Sequence, residues 1–131
     1  MLVAAIAMFT TACTKSHEAP GVSTSTEDMG VYGQGEKSFE FFVTDKDGKE
    51  YFYGINTDCE TVGEALMELR LIDGEAGPYG LYVKTVKDVT LDYDKDGMYW
   101  AFYIGEEMAP TGVDQTEIVN GAAYRFAATK G

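Results

Sequence analysis

Residues 37–56 read KSFEFFVTDKDGKEYFYGIN. Before the central DKDG, Phe39, Phe41 and Val43 alternate with Glu40, Phe42 and Thr44; after it, Tyr51, Tyr53 and Ile55 alternate with Phe52 and Gly54. A period of two puts successive side chains on opposite faces of a strand. Asp favours tight turns by accepting from nearby backbone N–H groups, and Gly supplies the positive φ that closes such loops. The stretch therefore predicts an antiparallel hairpin turning at residues 45–48. Its strands carry aromatic residues on both faces.

DKDG occurs again at 94–97, inside DYDKDG, 92–97. That string matches the opening of a calcium loop. Such a loop needs a bidentate Glu at its twelfth position. Counting from Asp92, that position holds Tyr103, and the residues before it read as strand. We therefore expect a second hairpin turn here, joining LYVKTVKDVTLDY (81–93) to MYWAFYI (98–104), and no metal site. In the latter run Met98, Trp100, Phe102 and Ile104 share one face, and Tyr99, Ala101 and Tyr103 the other.

Between the hairpins lies TDCETVGEALMELRLIDG, 57–74. Val62, Ala65, Leu66 and Leu69 recur at helical spacing. Thr61 with Glu64 is a capping-box pattern, Asp58 is a rival cap, and Gly74 is the expected stop. EAGPYG, 75–80, is a turn by composition. A loop over 105–121 leads to a closing strand, AAYRFAAT (122–129). The order β-β-α-β-β-β, with one helix and about five strands, is an α+β arrangement, and a β-grasp-like mixed sheet fits it.

The domain begins at about residue 37 and runs to 131. Residues 14–36, rich in Ser, Thr, Gly and acid, read as a flexible stalk. Residues 1–13, MLVAAIAMFTTAC, are uncharged and resemble the apolar part of a signal peptide, too short to span a bilayer. Thr10-Thr11-Ala12-Cys13 resembles a lipobox, which makes Cys13 the expected lipidation site. Ordinary cleavage leaving Cys13 free, or paired with Cys59, is the alternative. The chain is thus expected outside the cell, lipid-anchored to the outer face of the membrane or secreted.

The 131 residues carry 22 acidic and 10 basic side chains, a net charge of −12. Such a surface repels nucleic acid and anionic lipid, so neither is an expected partner, and membrane contact is expected through the anchor alone. His17, the only histidine, lies in the stalk, and no Ser, Thr or Cys has a nearby general base. Neither an enzyme nor a catalytic cofactor is expected.

The hairpin FFVTDKDGKEYFYGI, with TVGEALMELRLI, GPYGLYVKTV, YWAFYIG and NGAAYRF, resembles the transcobalamin C-terminal-like domain family. The likeness covers about residues 37–129. It departs at IGEE, 104–107, and at Asn120-Gly121-Ala122, where the family more often has Asn-Gly and Gly-Asp. The resemblance implies a β-grasp-like, soluble-ligand-binding fold. It makes a corrinoid such as cobalamin, or another vitamin-like molecule, the expected ligand, held for uptake.

Phe42, Phe52, Tyr82, Tyr99 and Tyr103 fall opposite the expected core face. They could form a ligand platform, or simply be strand residues stacked in cross-strand pairs. The candidate ligand contacts are Tyr79, Tyr82, Tyr99, Trp100 and Tyr103, although Trp100 shares its face with core residues. The leading expectation is a tethered, non-enzymatic module that captures a small soluble molecule and works with a membrane transporter or other surface protein. An adhesion or assembly module using the aromatic face or an edge strand is the alternative.

Overall fold

The computed structural model describes residues 26–78 and 80–131. The expected signal peptide, Cys13, most of the stalk and Tyr79 lie outside the described residues.

The first hairpin forms as the alternation predicts. β2 (Lys37–Thr44) and β3 (Glu50–Thr57) pair antiparallel, from Lys37 opposite Thr57 to Thr44 opposite Glu50. The Asp45 carboxylate accepts from the Asp47 and Lys49 N–H groups at 2.9 and 3.0 Å. Gly48 turns the chain at φ 85°. The closing strand, β9 (Ala123–Lys130), lies parallel to β2, and β7 (Met98–Ile104) lies antiparallel to β9. β8 (Glu107–Met108) pairs with the end of β7.

The stalk expected over 14–36 is corrected at its end. Thr26–Tyr32 form β1, parallel to β3, with a bulge between Asp28 and Val31. TEDMGVY shows no apolar alternation; the free edge of β3 supplies the hydrogen bonds that order it. The sheet order is β1-β3-β2-β9-β7-β8.

Helix α1 (Val62–Glu68) is capped by Thr61, whose side chain accepts from the Glu64 N–H at 3.2 Å. It buries Val62, Gly63, Ala65 and Leu66. Gly74 is not its stop. Arg70 takes the left-handed conformation at φ 63°, the Leu71 N–H bonds to the Leu66 carbonyl, and the Arg70 N–H bonds to that of Met67. These are the paired bonds of a Schellman ending, with Arg where Gly is usual.

The segment expected as a turn, 75–80, is mostly strand. β4 (Ile72–Gly77) and β5 (Gly80–Val86) form a hairpin, and β6 (Val89–Thr90) completes a separate three-stranded sheet. Lys87 and Asp88, both at positive φ, make the two-residue turn from β5 to β6. Both sheets and α1 bury one core that includes Phe41, Tyr53, Ile55, Leu66, Val86, Tyr124 and Phe126. Each such side chain contributes roughly 1.5–3 kcal/mol on burial.

The second DKDG is not a hairpin turn. It links the small sheet to β7 of the large one, so its ends need not pair. Tyr93–Asp96 form a single helical turn, α2. Asp92 caps it, accepting from the Asp94 and Lys95 N–H groups at 2.9 and 3.3 Å. Gly97 ends it at φ 67°. The architecture is α+β: two sheets, mostly strand, with little helix.

Candidate functional site

Strand register assembles the outward face of the large sheet. Phe52 pairs with Asp28 of β1 on one side and with Phe42 on the other. Phe42 pairs with Arg125, Arg125 with Tyr103, and Tyr103 with Met108. One row thus crosses all six strands: Asp28, Phe52, Phe42, Arg125, Tyr103, Met108. The Phe42 and Phe52 rings lie 5.2 Å apart between centroids. The Arg125 guanidinium stands 5.0 Å above the Phe42 ring. Its Nη1 donates to Thr44 Oγ1 at 2.8 Å and to Glu50 Oε2 at 2.9 Å. Arg125 is therefore fixed in place by an ion pair, a hydroxyl and an aromatic face together.

The neighbouring rows differ. On one side Thr44, Ala127 and Ala101 align, and Ala101 is buried despite facing outward. Beyond it Tyr99 pairs with Thr129. On the other side Val31, Gly54, Glu40 and Ala123 align. That row holds a shallow depression over Gly54.

The candidate residues are not gathered into one place. Tyr99 and Tyr103 stand half-buried on the outward face of β7. Trp100 points the other way and is buried at 5% exposure, with its Nε1 donating to the Val89 carbonyl at 3.1 Å. It belongs to the core, as its apolar face-mates implied. Tyr82 lies on the small sheet, exposed, with Lys84 Nζ 5.9 Å from its ring centroid. Beyond the tip of that hairpin, Pro78, Pro110, Thr111, Gly112 and Gln115 line an open cleft. Asp114 braces the hairpin, its carboxylate accepting from the Leu81 N–H at 3.1 Å. Arg125, Glu40 and Gly54 are not among the site residues the sequence suggests. For Gly54 a signal existed: a glycine inside an otherwise aromatic, alternating strand.

Electrostatics sharpen the other side of the sheet. The Glu27 carboxyl is held below its usual range by a hydrogen bond from Lys49 and by that residue's charge, at 2.9 Å. Lys87 Nζ lies 4.2 Å and Lys49 Nζ 5.3 Å from the Tyr51 ring centroid. Burial, with Tyr32 beside it, pushes the Tyr53 phenol up to about 12.

The DYDKDG carboxylates at 92 and 96 are turned to the backbone. The Asp92 carboxylate caps α2, and Asp96 Oδ2 accepts from the Asp92 N–H at 2.8 Å. Among the described residues no group of three or more His, Cys, Asp or Glu is placed to hold an ion. Cys59 is a free thiol, 3.6 Å from Glu68 Oε1.

No protein-family model and no curated protein matches the chain. Solved structures do. Haptocorrin in complex with Cbi matches with a TM-score of 0.59 at 17% identity, over 76% of this chain and 26% of haptocorrin. That likeness shows the fold, which resembles the C-terminal domain of transcobalamin-type proteins. A Ruminococcus gnavus ATCC 29149 protein, provisionally described as metal binding, matches with a TM-score of 0.69 at 34% identity. The match spans 73% of this chain and 99% of that one, and the chain belongs to the same family as that Ruminococcus gnavus protein.

Proposed function

We propose that the protein is a non-enzymatic binding module that captures a small soluble ligand on the outward face of its large sheet. The observation that carries this reading is the Asp28–Phe52–Phe42–Arg125–Tyr103–Met108 row. A sheet needs one apolar face for its core; here the second face also offers half-exposed rings, with a fixed cation among them and no described element laid over it. Rings contribute stacking area, while Arg125, Thr44 and Glu50 set orientation.

Corrinoids are the first ligands to test, because haptocorrin shares the fold and its structure holds Cbi. The likeness to the transcobalamin C-terminal-like family supports the same choice. Isothermal calorimetry with cobalamin and other corrinoids should give saturable heat at micromolar ligand, weakened about tenfold or more by Phe52→Ala or Tyr103→Ala. Silence with every corrinoid sinks the corrinoid claim. Trp100 fluorescence is a poor reporter, since the ring faces the core.

Acylated Cys13 would tether the module to the outer face of the membrane, beside a transporter or other surface protein that takes the ligand onward. Mass spectrometry of the native N-terminus tests this. Acyl chains on Cys13 are expected, and an unmodified cysteine overturns it.

One observation favours a second reading, adhesion or assembly. β1 is an edge strand, and among the described residues nothing pairs with its outer edge. Sedimentation analysis decides for self-assembly: oligomers abolished by Glu27→Pro would support it, and a monomer at all concentrations would dismiss it.

A further inference from the structure

Gly54 stands mid-way along β3, between Phe52 and Asn56 on the outward face. Glycine weakens a strand interior, and there it usually marks a bulge, a bend or the close approach of another group. The fold itself gives no reason for it. Gly54 is not among the positive-φ residues. A Cβ built on it would meet Val31 Cγ2 at 3.5 Å and the Gly30 carbonyl at 3.9 Å, both ordinary contacts. At Gly63, by contrast, the Asp114 backbone blocks a side chain at 2.6 Å. The bulge in β1 therefore does not require a bare position in β3. The space over Gly54 is open to something other than the described chain.

That space is the depression of about 270 Å3 whose lining includes Val31, Ser38, Glu40, Gly54 and Asn56, with the core residues Phe39 and Ile55 beneath. Its chemistry is one-sided. Glu40, the ladder partner of Gly54, is the charged residue of the lining, and it is exposed. Ser38 and Asn56, paired with each other, add a hydroxyl and an amide. Val31, 73% exposed, forms an apolar wall. One row along, Phe42 and Phe52 present their rings, and Arg125 over Phe42 shows that this face already accommodates a cation on an aromatic. The net charge of −12 favours a cationic visitor.

We propose that the depression over Gly54 is a subsite for a primary ammonium group carried on a short apolar or aromatic body. The ammonium bonds the Glu40 carboxylate, with Ser38 and Asn56 completing its shell. The body lies over Gly54 against Val31 and Phe52. This rests on the outward sheet face being the binding face, but not on the ligand being a corrinoid.

The test is amide-resolved NMR of the isotope-labelled chain with three probes: phenethylamine, phenethyl alcohol and acetyl-Phe-Lys-amide. Phenethylamine should shift the Val31, Glu40 and Gly54 amides and saturate at millimolar concentration. The alcohol, lacking the charge, should bind about fivefold more weakly, and Glu40→Gln should bring the amine down to its level. Gly54→Val should remove the shifts while leaving the melting temperature unchanged or higher, because its Cβ makes only ordinary contacts, the nearest a Val31 methyl at 3.5 Å, and valine suits a strand. Peptide binding tighter than the amine assigns the ammonium to a lysine side chain, and the reverse assigns it to a free amine; either supports the subsite. Absence of shifts at Gly54 with both cationic probes, equal affinity for the alcohol, or shifts that survive Gly54→Val overturns it. Corrinoid binding without amine binding removes this inference alone; amine binding without corrinoid binding leaves it standing.

Discussion

Trp100 Nε1 donates to the Val89 carbonyl at 3.1 Å, and this bond runs from the large sheet to the small one. Val89 belongs to β6, a strand of two residues with little pairing of its own. Trp100→Phe keeps most of the apolar volume and removes the donor. It should lower stability by about 1 kcal/mol, since the Val89 carbonyl it leaves unpaired is only half-buried. Trp100→Ala should cost about 3–5 kcal/mol. Urea unfolding followed by far-ultraviolet circular dichroism measures both. A Phe variant as stable as the parent would show that the bond contributes nothing.

DYDKDG should behave as a cap and not as an ion site. Asp92→Ala should cost about 1 kcal/mol, while Asp92→Asn, which still accepts from backbone N–H groups, should cost little. Gly97→Val should cost about 1–2 kcal/mol or more, because a β-branched residue resists φ 67°. Millimolar calcium should leave the melting temperature unchanged. A calcium-dependent rise of many degrees, abolished by Asp92→Asn, would restore the metal reading.

Much of the fold was legible because it is written as periodicity. β2, β3 and β7 announce themselves by alternation, and α1 by Val62, Ala65 and Leu66 with Thr61 before them. What was not legible depends on partners distant in sequence. β1 has no pattern and borrows its order from β3. The helix stop was placed at the obvious glycine, Gly74, while Arg70 adopts the left-handed turn because Leu66 and Met67 offer it carbonyls. The second DKDG has the residues of a hairpin turn, yet its neighbours belong to different sheets. For the candidate site, alternation revealed that Phe42, Phe52, Tyr99 and Tyr103 face outward. Only register could show that Phe52, Phe42, Arg125 and Tyr103 share one row while Tyr99 stands apart.

Tyr53 should make stability fall at alkaline pH. Its phenol is pushed up to about 12 in the folded chain, mainly by burial. In the unfolded chain it titrates near 10. Between those values the unfolded state has released the proton and the folded state has kept it. The contribution is thus complete below about pH 10 and is lost as pH rises toward 12. Tyr51, also raised, acts in the same direction. Tyr53→Phe should flatten the decline of the urea midpoint over this range. An unchanged slope would place the titration elsewhere.

Arg125 and Glu50 should couple measurably despite partial exposure. Their side chains are 29% and 33% exposed at a separation of 2.9 Å. Solvent screening limits such a pair to about 0.5–1 kcal/mol. A double-mutant cycle with Arg125→Met and Glu50→Gln should return that coupling, reduced by added salt. Arg125→Lys should not restore it fully, because a lysine cannot both reach Thr44 and Glu50 and lie flat over Phe42. A coupling of zero would make the pair incidental.

Gly74 and Gly54 should answer the same substitution in opposite ways. Both stand inside strands, and neither has positive φ. At Gly74, beside the irregularity in β4, a Cβ would collide with the Tyr82 carbonyl and crowd Val83 Cα at 2.8 Å. These are backbone atoms of the paired strand, so relief requires the hairpin to part. Gly74→Ala should therefore destabilise by about 1–3 kcal/mol, as overpacking does. At Gly54 the nearest atom is a side-chain methyl at 3.5 Å. There Ala should be neutral or stabilising by about 0.4–1 kcal/mol, because it removes unfolded-state freedom without strain. Thermal and urea unfolding of the two variants decide the matter. If both destabilise alike, the bareness of Gly54 serves the fold after all, and the subsite over it loses its footing.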